Sequence, residues 1–315
     1  MTRVLIFLAT LVAMVRAMAI GVGISLSFDY GTVSVAYPNR TVDSVLRVDG
    51  DEGYRTMMRN QTWTRPQDEE MYYTPNIWEP PSFPTQVTRL EMRQSCVHPP
   101  NSALHDMLEQ LKTAVVTHTG ADMDTAHIVF PLNPSISLTT ALEHSTRALN
   151  IRELSNMHWA TIAAAYYLSD LRDGGCDREN VLLTVDYSRA GIIATLSGEC
   201  YGMTWPQRTF FDLNPVIAGT NITDTERIIT LLNTLISQPI TDWDGENLHG
   251  LDKIVLMGEL GNTPEIRTML RQALDAGPSG GVLEDKLVHQ ESPNDPLFVA
   301  SASAAIDSML SRQPS

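Results

Sequence analysis

An alternating pattern over residues 20–37 constrains the fold of this chain more than any other stretch. Apolar residues at the even positions from Ile20 to Phe28 alternate with small or polar residues at the odd positions. The alternation resumes after a turn-forming Asp-Tyr-Gly at residues 29–31. A period of two is typical of a strand with one buried face, so the pattern predicts a β-hairpin. Its small-residue face and polar tip either leave room for a ligand beside the backbone or belong to an ordinary core hairpin.

The first nineteen residues have the pattern of a secretory signal peptide. Arg3 precedes an apolar run at residues 4–15, which is too short to span a bilayer, and residues 17–19 read Ala-Met-Ala, as a cleavage site does. A buried strand or helix is the alternative for this run. With a signal we expect a secreted or endomembrane protein without a membrane span, and otherwise a cytoplasmic one. Three Asn-x-Thr sequons agree with secretion and are candidate glycosylation sites: Asn39, Asn60 and Asn221.

Charge, motifs and cysteines narrow the classes of function. The formal net charge of −15 would repel a phosphate backbone or an anionic membrane, so nucleic acid is not an expected partner. The common signatures of P-loop nucleotide sites, zinc sites and serine hydrolases do not occur in the sequence, and no metal site is expected. The chain has three cysteines, which permit one disulfide in any of three pairings: Cys96, Cys176 and Cys200.

Strand and helix patterns alternate along the remainder of the chain. Residues 38–100 are polar and rich in proline, which predicts a loop-rich insertion with only short regular pieces near residues 54–59. Apolar periodicity then predicts strands at 127–130, 181–186, 192–196 and 254–258, with a tight turn at 187–191 between the second and third. It also predicts six helices, at 104–118, 137–149, 159–171 and 225–236, and one each after Thr263 and after Asp295. This order predicts an α/β protein of two lobes, residues 20–173 and 174–315, divided at Gly174-Gly175 and ending in a closing C-terminal helix.

Three blocks in this order resemble the actin-like ATPase superfamily, and most closely the nucleotide-binding domain of the seventy-kilodalton heat-shock chaperones. Residues 22–27 resemble the first phosphate loop of that family, residues 185–191 the second, and residues 255–264 the adenosine motif that precedes a helix. The resemblance implies a two-lobed fold with a central interlobe cleft, which in the family binds ATP with magnesium. No peptide-binding domain follows the closing helix in this sequence, so a peptide-holding chaperone cycle is not expected.

The same comparison indicates that the phosphate loops are degenerate. Ser25 stands where the family has the aspartate that helps to order magnesium, and Asp186 of the second loop is retained. Side chains replace glycines whose bare amides cradle phosphate, and Glu259 would place a negative charge near an anionic nucleotide. Arg189 would offset part of that charge, and Asp29 would substitute for the lost carboxylate. The candidate cleft residues are Ser25, Ser27, Phe28, Asp29, His158, Asp186, Tyr187, Ser188, Arg189, Gly258, Glu259 and Asn262.

Three functions are therefore open at this level. The first is a non-hydrolysing binding or scaffold protein of the secretory route, whose partner is an unidentified protein or small molecule. The second is a weak nucleotide-binding ATPase that uses Asp29, Asp186 and Arg189 in unusual roles. The third is a cleft recruited for chemistry on an uncharged small molecule, because Phe28 and Tyr187 would make the former phosphate pocket more apolar. His158, Asp186 and Glu259 would then be its titratable groups.

Overall fold

A computed structural model describes residues 20–61, 63, 102–154, 158–168, 179–200, 203–213, 222–237, 240–241, 247–248, 250–275, 283–288 and 295–312. Within these ranges the chain is an α/β protein with two mixed β-sheets packed with helices, which confirms the predicted class. Several sequence predictions lie outside the described residues: the signal peptide, residues 64–100 of the insertion, the Gly174-Gly175 boundary and the sequon at Asn221.

The predicted hairpin forms the centre of the first sheet. The six strands of this sheet are β1 (Gly21–Leu26), β2 (Tyr30–Ala36), β3 (Val42–Asp49), β4 (Thr125–Phe130), β5 (Arg152–Glu153) and β6 (His158–Trp159). Strand β1 pairs antiparallel with β2 and parallel with β4, while β3 extends the sheet beyond β2. Short strands β5 and β6 pair with β4 at its two ends. The apolar side chains of β1 and β2 enter the core of this half of the molecule.

The second sheet repeats the combination of a hairpin and a parallel strand. Its four strands are β7 (Asn180–Ser188), β8 (Gly191–Cys200), β9 (Met203–Asp212) and β12 (Lys253–Met257). Strand β8 pairs antiparallel with β7 on one side and with β9 on the other, and β12 pairs parallel with β7. A separate two-stranded sheet joins β10 (Ile240–Thr241) to β11 (Asn247–Leu248). The odd-numbered residues of β7 point into a second apolar core, which Leu232 and Leu270 complete from two helices.

All six predicted helices are confirmed, and the last begins with a 3₁₀ turn at Pro296–Phe298 that Asp295 caps. The helices are α1 (Glu52–Arg59), α2 (Ser102–Thr119), α3 (Ile136–Ala148), α4 (Ala160–Leu168), α5 (Ile222–Ser237), α6 (Pro264–Asp275), α7 (Leu283–Lys286) and α8 (Val299–Leu310). Their caps follow the local sequence, since the side chains of Asp51 and Ser135 accept hydrogen bonds from backbone amides at the starts of α1 and α3.

The closing helix α8 occupies the small-residue face of the hairpin. A Cβ atom on Gly23 would overlap the backbone of Ala305 and Ser301, so the strand and the helix touch through their main chains. The Ser34 and Ser301 hydroxyls hydrogen-bond at 2.8 Å, which satisfies both in the buried contact. The alternative that this face leaves room for a ligand is therefore wrong along β1, because α8 fills the space.

Helices α4 and α8 lie between the two sheets. Ala163 and Ala164 of α4 share one apolar cluster with Val255 and Met257 of β12, and Ala300 of α8 joins the same cluster. Small side chains allow these helices to approach both sheets closely. The two halves of the molecule are thus joined through a common layer of small residues.

Three local predictions are wrong. Strand β3 occupies eight residues within the region predicted to be loop-rich, at an edge where exposed polar side chains hide its alternation. Strand β9 escaped prediction because Pro206 interrupts its pattern; the proline lies beside a bulge on an edge strand, where its missing N–H donor is tolerated. Tyr187 and Ser188 continue β7, so the predicted five-residue turn is reduced to Arg189 and Ala190.

Two further findings concern the cysteines and the membrane. Cys200, the last residue of β8, is disulfide-bonded, which excludes a Cys96–Cys176 pair and leaves two of the three pairings. The two possible partners of Cys200, which are Cys96 and Cys176, lie outside the described residues. Within the part of the chain that the structure describes, no helix has both the length and the hydropathy needed to cross a bilayer.

Candidate functional site

The candidate site lies where parts of the two sheets approach each other. Tyr30 begins β2 at the tip of the first hairpin, and Asp186 lies near the tip of the hairpin formed by β7 and β8. Burial raises the pKa of Tyr30, and the nearby Asp186 carboxyl and the Glu259 carboxylate raise it further. The sheet ends that carry Tyr30 and Asp186 therefore contribute to one electrostatic cluster.

An ion pair crosses between the sheets at this point. Arg47 Nη2 of β3 lies 3.0 Å from Oε1 of Glu259, which follows β12 in the second sheet. The Glu259 side chain is only 11% exposed, and Arg189 approaches the same oxygen to 3.5 Å. Arg47 also contacts Asp49 at 2.7 Å and lies over the Tyr30 ring, with Cζ 4.6 Å from the ring centroid. The Glu259 carboxylate is thus held by one arginine from each of the two sheets.

Asp186 is a buried carboxyl group with an unsatisfied oxygen. Its side chain is 6% exposed, and Oδ1 has no hydrogen-bond partner. Burial raises its pKa from 3.8 to about 7. Gly258 packs directly against it with φ +88°, and a Cβ atom there would overlap Asp186 Oδ1 and the Tyr187 carbonyl. The retained glycine is required by this close approach and by the left-handed backbone.

Three backbone amides near these residues already donate within the chain. Ser27 N donates to the Tyr30 carbonyl at 2.8 Å, which closes the tip of the first hairpin. Gly258 N donates to the Pro296 carbonyl at 3.0 Å, and Leu260 N donates to the Tyr187 carbonyl at 2.8 Å. A phosphate binds to such loops through free amides, and these three have protein acceptors instead.

The insertion buttresses the first hairpin tip. Tyr54 of α1 donates its hydroxyl proton to the Ser27 carbonyl at 2.8 Å, and Gly50 N donates to the Asp29 carbonyl at 2.8 Å. Arg59 Nη2 lies 2.6 Å from Asp29 Oδ1. The Ser27 hydroxyl has no hydrogen bond of ordinary geometry, although its proximity to the Tyr30 hydroxyl acts to lower the pKa of that group. The carboxylate of Asp29 is therefore paired with an arginine of α1.

Several predicted cleft residues lie elsewhere. Phe28 packs in the first core edge-to-face with Trp63, at a ring centroid distance of 5.4 Å. Tyr187 belongs to the second core, on the face of β7 opposite Asp186. Asn262 is exposed and accepts a hydrogen bond from Arg267. The prediction that Phe28 and Tyr187 make the cleft apolar is wrong, because both rings complete hydrophobic cores.

The remaining predicted residues divide between the electrostatic cluster and the interiors of the strands. Ser25 is buried within β1 between Thr32 of β2 and Val129 of β4. Ser188 ends β7 opposite Gly191 and is also buried. His158 pairs through its backbone with Val129, and its side chain lies outside the described part of the structure. The structure thus brings together Ser27, Asp186, Arg189, Gly258 and Glu259, whereas the Asp29 carboxylate pairs with Arg59 of α1.

Sequence reasoning missed Tyr30 and Arg47, which connect the two halves of the site. Arg47 lies on an unpredicted edge strand, and no local motif distinguishes it from other exposed arginines. Tyr30 was recognised only as part of a turn. The one available signal for Tyr30 was its type, because a large aromatic side chain in a hairpin is usually buried and its hydroxyl then needs a partner.

Comparisons with protein-family models and with curated protein sequences find no match to this chain. Within the described ranges, no group of three or more histidine, cysteine, aspartate or glutamate side chains is arranged to hold a metal ion. An assignment of function therefore depends on the geometry of the site.

Proposed function

We propose that this protein is an actin-like relative of the chaperone ATPase domain that does not hydrolyse ATP and acts as a binding or scaffold protein of the secretory route. The observation that carries the proposal is the charge pairing of the cleft. Arg47 and Arg189 contact Glu259, and Arg59 contacts Asp29. A nucleotide phosphate would have to displace these carboxylates and approach the buried Asp186 as well.

The architecture supports the actin-like part of the proposal. Each sheet contains an antiparallel hairpin beside a parallel strand, and α4 and α8 lie between the sheets. Residues 22–27, 185–191 and 255–264 are the segments that resemble the phosphate and adenosine loops. Tyr30, whose carbonyl accepts from the Ser27 amide, lies near Asp186 and Glu259 of the other two segments, and Glu259 pairs with Arg47 of the first sheet. This proximity supports an interlobe cleft.

The chemistry of Asp186 supports loss of hydrolysis. A carboxylate that orders magnesium and its waters must be charged, and burial raises the pKa of Asp186 to about 7. The amides of Ser27, Gly258 and Leu260 donate to carbonyl groups of the chain. Catalysis of phosphoryl transfer depends on positioning and on charge stabilisation. Here the three amides already have acceptors within the chain, and burial favours the uncharged form of Asp186.

Nucleotide binding and turnover test the proposal directly. Isothermal titration calorimetry of the purified protein with millimolar ATP or ADP, each with magnesium, should give no binding heat. Thermal unfolding in the presence of the same nucleotides should show no shift in Tm. ATP turnover should equal that of the Asp186→Asn variant. Magnesium-dependent turnover that Asp186→Asn abolishes would refute the non-hydrolysing assignment. A screen of metabolites and of secretory-route proteins against the same sample, read as a rise in Tm or as co-elution, tests the binding role separately.

A second candidate function rests on Asp186 alone. A buried carboxyl with a pKa near neutrality and a free oxygen has the properties of a general acid or base. Chemistry on an uncharged small molecule would use this group. If Asp186→Ala and Glu259→Ala proteins keep full biological activity, this candidate is excluded while the scaffold proposal stands.

A further inference from the structure

Unsatisfied polar atoms are concentrated on one face of the second sheet. Strand β7 presents its even-numbered residues to α4, since Thr161 of that helix accepts a hydrogen bond from Thr195 at 3.0 Å and Thr195 is the partner of Thr184. On this face five buried oxygens have no hydrogen-bond partner: Thr184 Oγ1, Asp186 Oδ1, Ser197 Oγ, Glu199 Oε1 and Thr204 Oγ1. We call Thr184, Ser197, Glu199 and Thr204 the polar row; Asp186 lies at its cleft end.

The register places these residues as neighbours. Glu199 of β8 is the direct partner of Asn180 on one side and of Thr204 on the other. Ser197 lies two residues along β8 from Glu199, and Thr184 lies diagonally across from Ser197. The Cβ atoms of successive members are therefore roughly 5–7 Å apart. Direct cross-strand partners at this spacing can hydrogen-bond, as Thr195 and Thr209 do, but the five oxygens named above have no such partner. One water molecule, bonded at about 2.8 Å to each of two oxygens, joins oxygens about 5–6 Å apart.

Because these oxygens are buried, leaving them without a hydrogen-bond partner is energetically unfavourable. Thr184 and Ser197 are 0% exposed and Glu199 is 1% exposed. The Asn180 amide donates to Glu199 Oε2 at a long 3.3 Å and leaves Oε1 without a donor. Native interiors rarely tolerate several adjacent desolvated polar groups, and ordered water is their usual partner because it donates and accepts.

Neighbouring hydroxyls on the same face show what a satisfied arrangement looks like. Thr195 donates to Thr161, and Thr209 donates to Thr195 at 3.2 Å, so this chain of hydroxyls is complete without water. Thr184 lies directly opposite Thr195 yet takes no part in the chain. The hydroxyls of Thr161, Thr195 and Thr209 thus bond to one another, whereas the named oxygens of the polar row beside them have no protein partner.

We propose that the polar row is a binding site for ordered internal water, which bridges Thr204, Glu199, Ser197 and Thr184 and reaches Asp186 at the interlobe cleft. A divalent ion fits less well, because the row contains a single carboxylate and the positive charge of Lys253 acts on it. The bound waters are part of the packing between the second sheet and the layer of small residues formed by α4.

Removal of single hydroxyls tests the proposal. Thr184→Val and Ser197→Ala keep the side-chain shape closely and remove only the polar atom. If the atoms hold water, each variant loses at least one long-lived water, counted by magnetic relaxation dispersion of water oxygen-17, and its Tm falls by a few degrees. If the atoms are dry, the substitutions relieve a desolvation penalty and Tm rises or stays constant.

The matched control is Thr195→Val, which removes a hydroxyl that protein groups already satisfy. This variant should lower Tm without loss of a long-lived water. An unchanged water count in both Thr184→Val and Ser197→Ala overturns the proposal, whatever happens to Tm. The isosteric substitutions leave the apolar cores untouched, so both proteins are expected to fold.

Discussion

Arg47 Nη2 and Glu259 Oε1 lie 3.0 Å apart, and this ion pair joins the edge strand of the first sheet to the turn that follows β12 in the second. The two residues are separated by more than two hundred positions in the chain. Glu259 would be a buried, repulsive charge in a nucleotide cleft, and Arg47 converts it into a contact between the two halves of the molecule.

The energy of this contact is measurable by a double-mutant cycle. Arg47→Met and Glu259→Gln, alone and together, should give a coupling energy of about 1 kcal/mol, because both side chains are partly shielded from solvent. Urea denaturation in low salt supplies the four stabilities, and added salt should reduce the coupling. The exposed Arg271–Glu284 pair is the control and should show a smaller coupling. Equal coupling in the two pairs would contradict a special role for Arg47.

Asp186 makes stability depend on pH with a defined sign. Its pKa is about 7 in the folded protein and near 3.8 when exposed, so between these values the folded state binds more protons than the unfolded state. Stability from this group is therefore present below about pH 4 and is lost as the pH rises through 7, by about 4 kcal/mol at most.

Comparison with Asp186→Asn isolates that effect. The variant should lack this part of the decline and should be more stable than the natural chain at pH 8. Burial, with help from Glu143, also raises the pKa of Glu153 to about 7, so Glu153→Gln is the control for a second group of the same sign. Parallel stability curves for the natural chain and Asp186→Asn between pH 4 and pH 8 would show that Asp186 titrates normally.

Gly258→Ala should destabilise the protein strongly. The residue has φ +88°, and a Cβ atom would overlap Asp186 and the Tyr187 carbonyl, so strain and steric overlap add. We expect a loss of about 2–4 kcal/mol in the free energy of unfolding. Gly250→Ala is a matched control, since Gly250 also has φ +88° but a Cβ atom there meets nothing within 4 Å. The control should lose only about 1 kcal/mol, and a comparable loss at both sites would contradict the proposed close approach.

Asn39 should carry a glycan if the chain enters the secretory route. Asn39 lies exposed in the turn between β2 and β3, where its Oδ1 accepts hydrogen bonds from Thr41 N and Thr41 Oγ1. Expression in eukaryotic secretory cells should give a glycosidase-sensitive mass increase that Asn39→Gln reduces by one glycan. Thr41→Ala should have the same effect, whereas Thr41→Ser should retain the glycan. A mass unaffected by all three substitutions would count against occupancy of this sequon.

Local patterns predicted most of the secondary structure because each confirmed element has its own periodicity. The alternation at Ile24 and Val33 identifies the first hairpin, and the stripe at Ile266, Met269 and Leu270 identifies α6. Strands β3 and β9 were missed because edge strands are exposed on one side and tolerate polar residues and proline. Their existence depends on a neighbouring strand rather than on their own sequence.

The candidate site was predicted only in part. Asp186, Gly258 and Glu259 were found because they lie in segments that resemble known loops, and the structure brings them together. Phe28 and Tyr187 were assigned to the cleft on the same grounds, but their rings point into the two cores. A one-residue step along a strand reverses the direction of a side chain, so proximity in sequence to Asp186 placed Tyr187 on the wrong side.

Hydrophobic periodicity, turn residues and caps are local properties, and they were sufficient to determine the α/β class, the hairpins and the confirmed helices of this protein. The pairing of Arg47 with Glu259, the covering of Gly23 by α8 and the unsatisfied oxygens beside Thr184 were decided only in the tertiary structure. Each of these joins residues that are distant in the chain. Their physical basis is the packing of one surface against another, which no single segment contains.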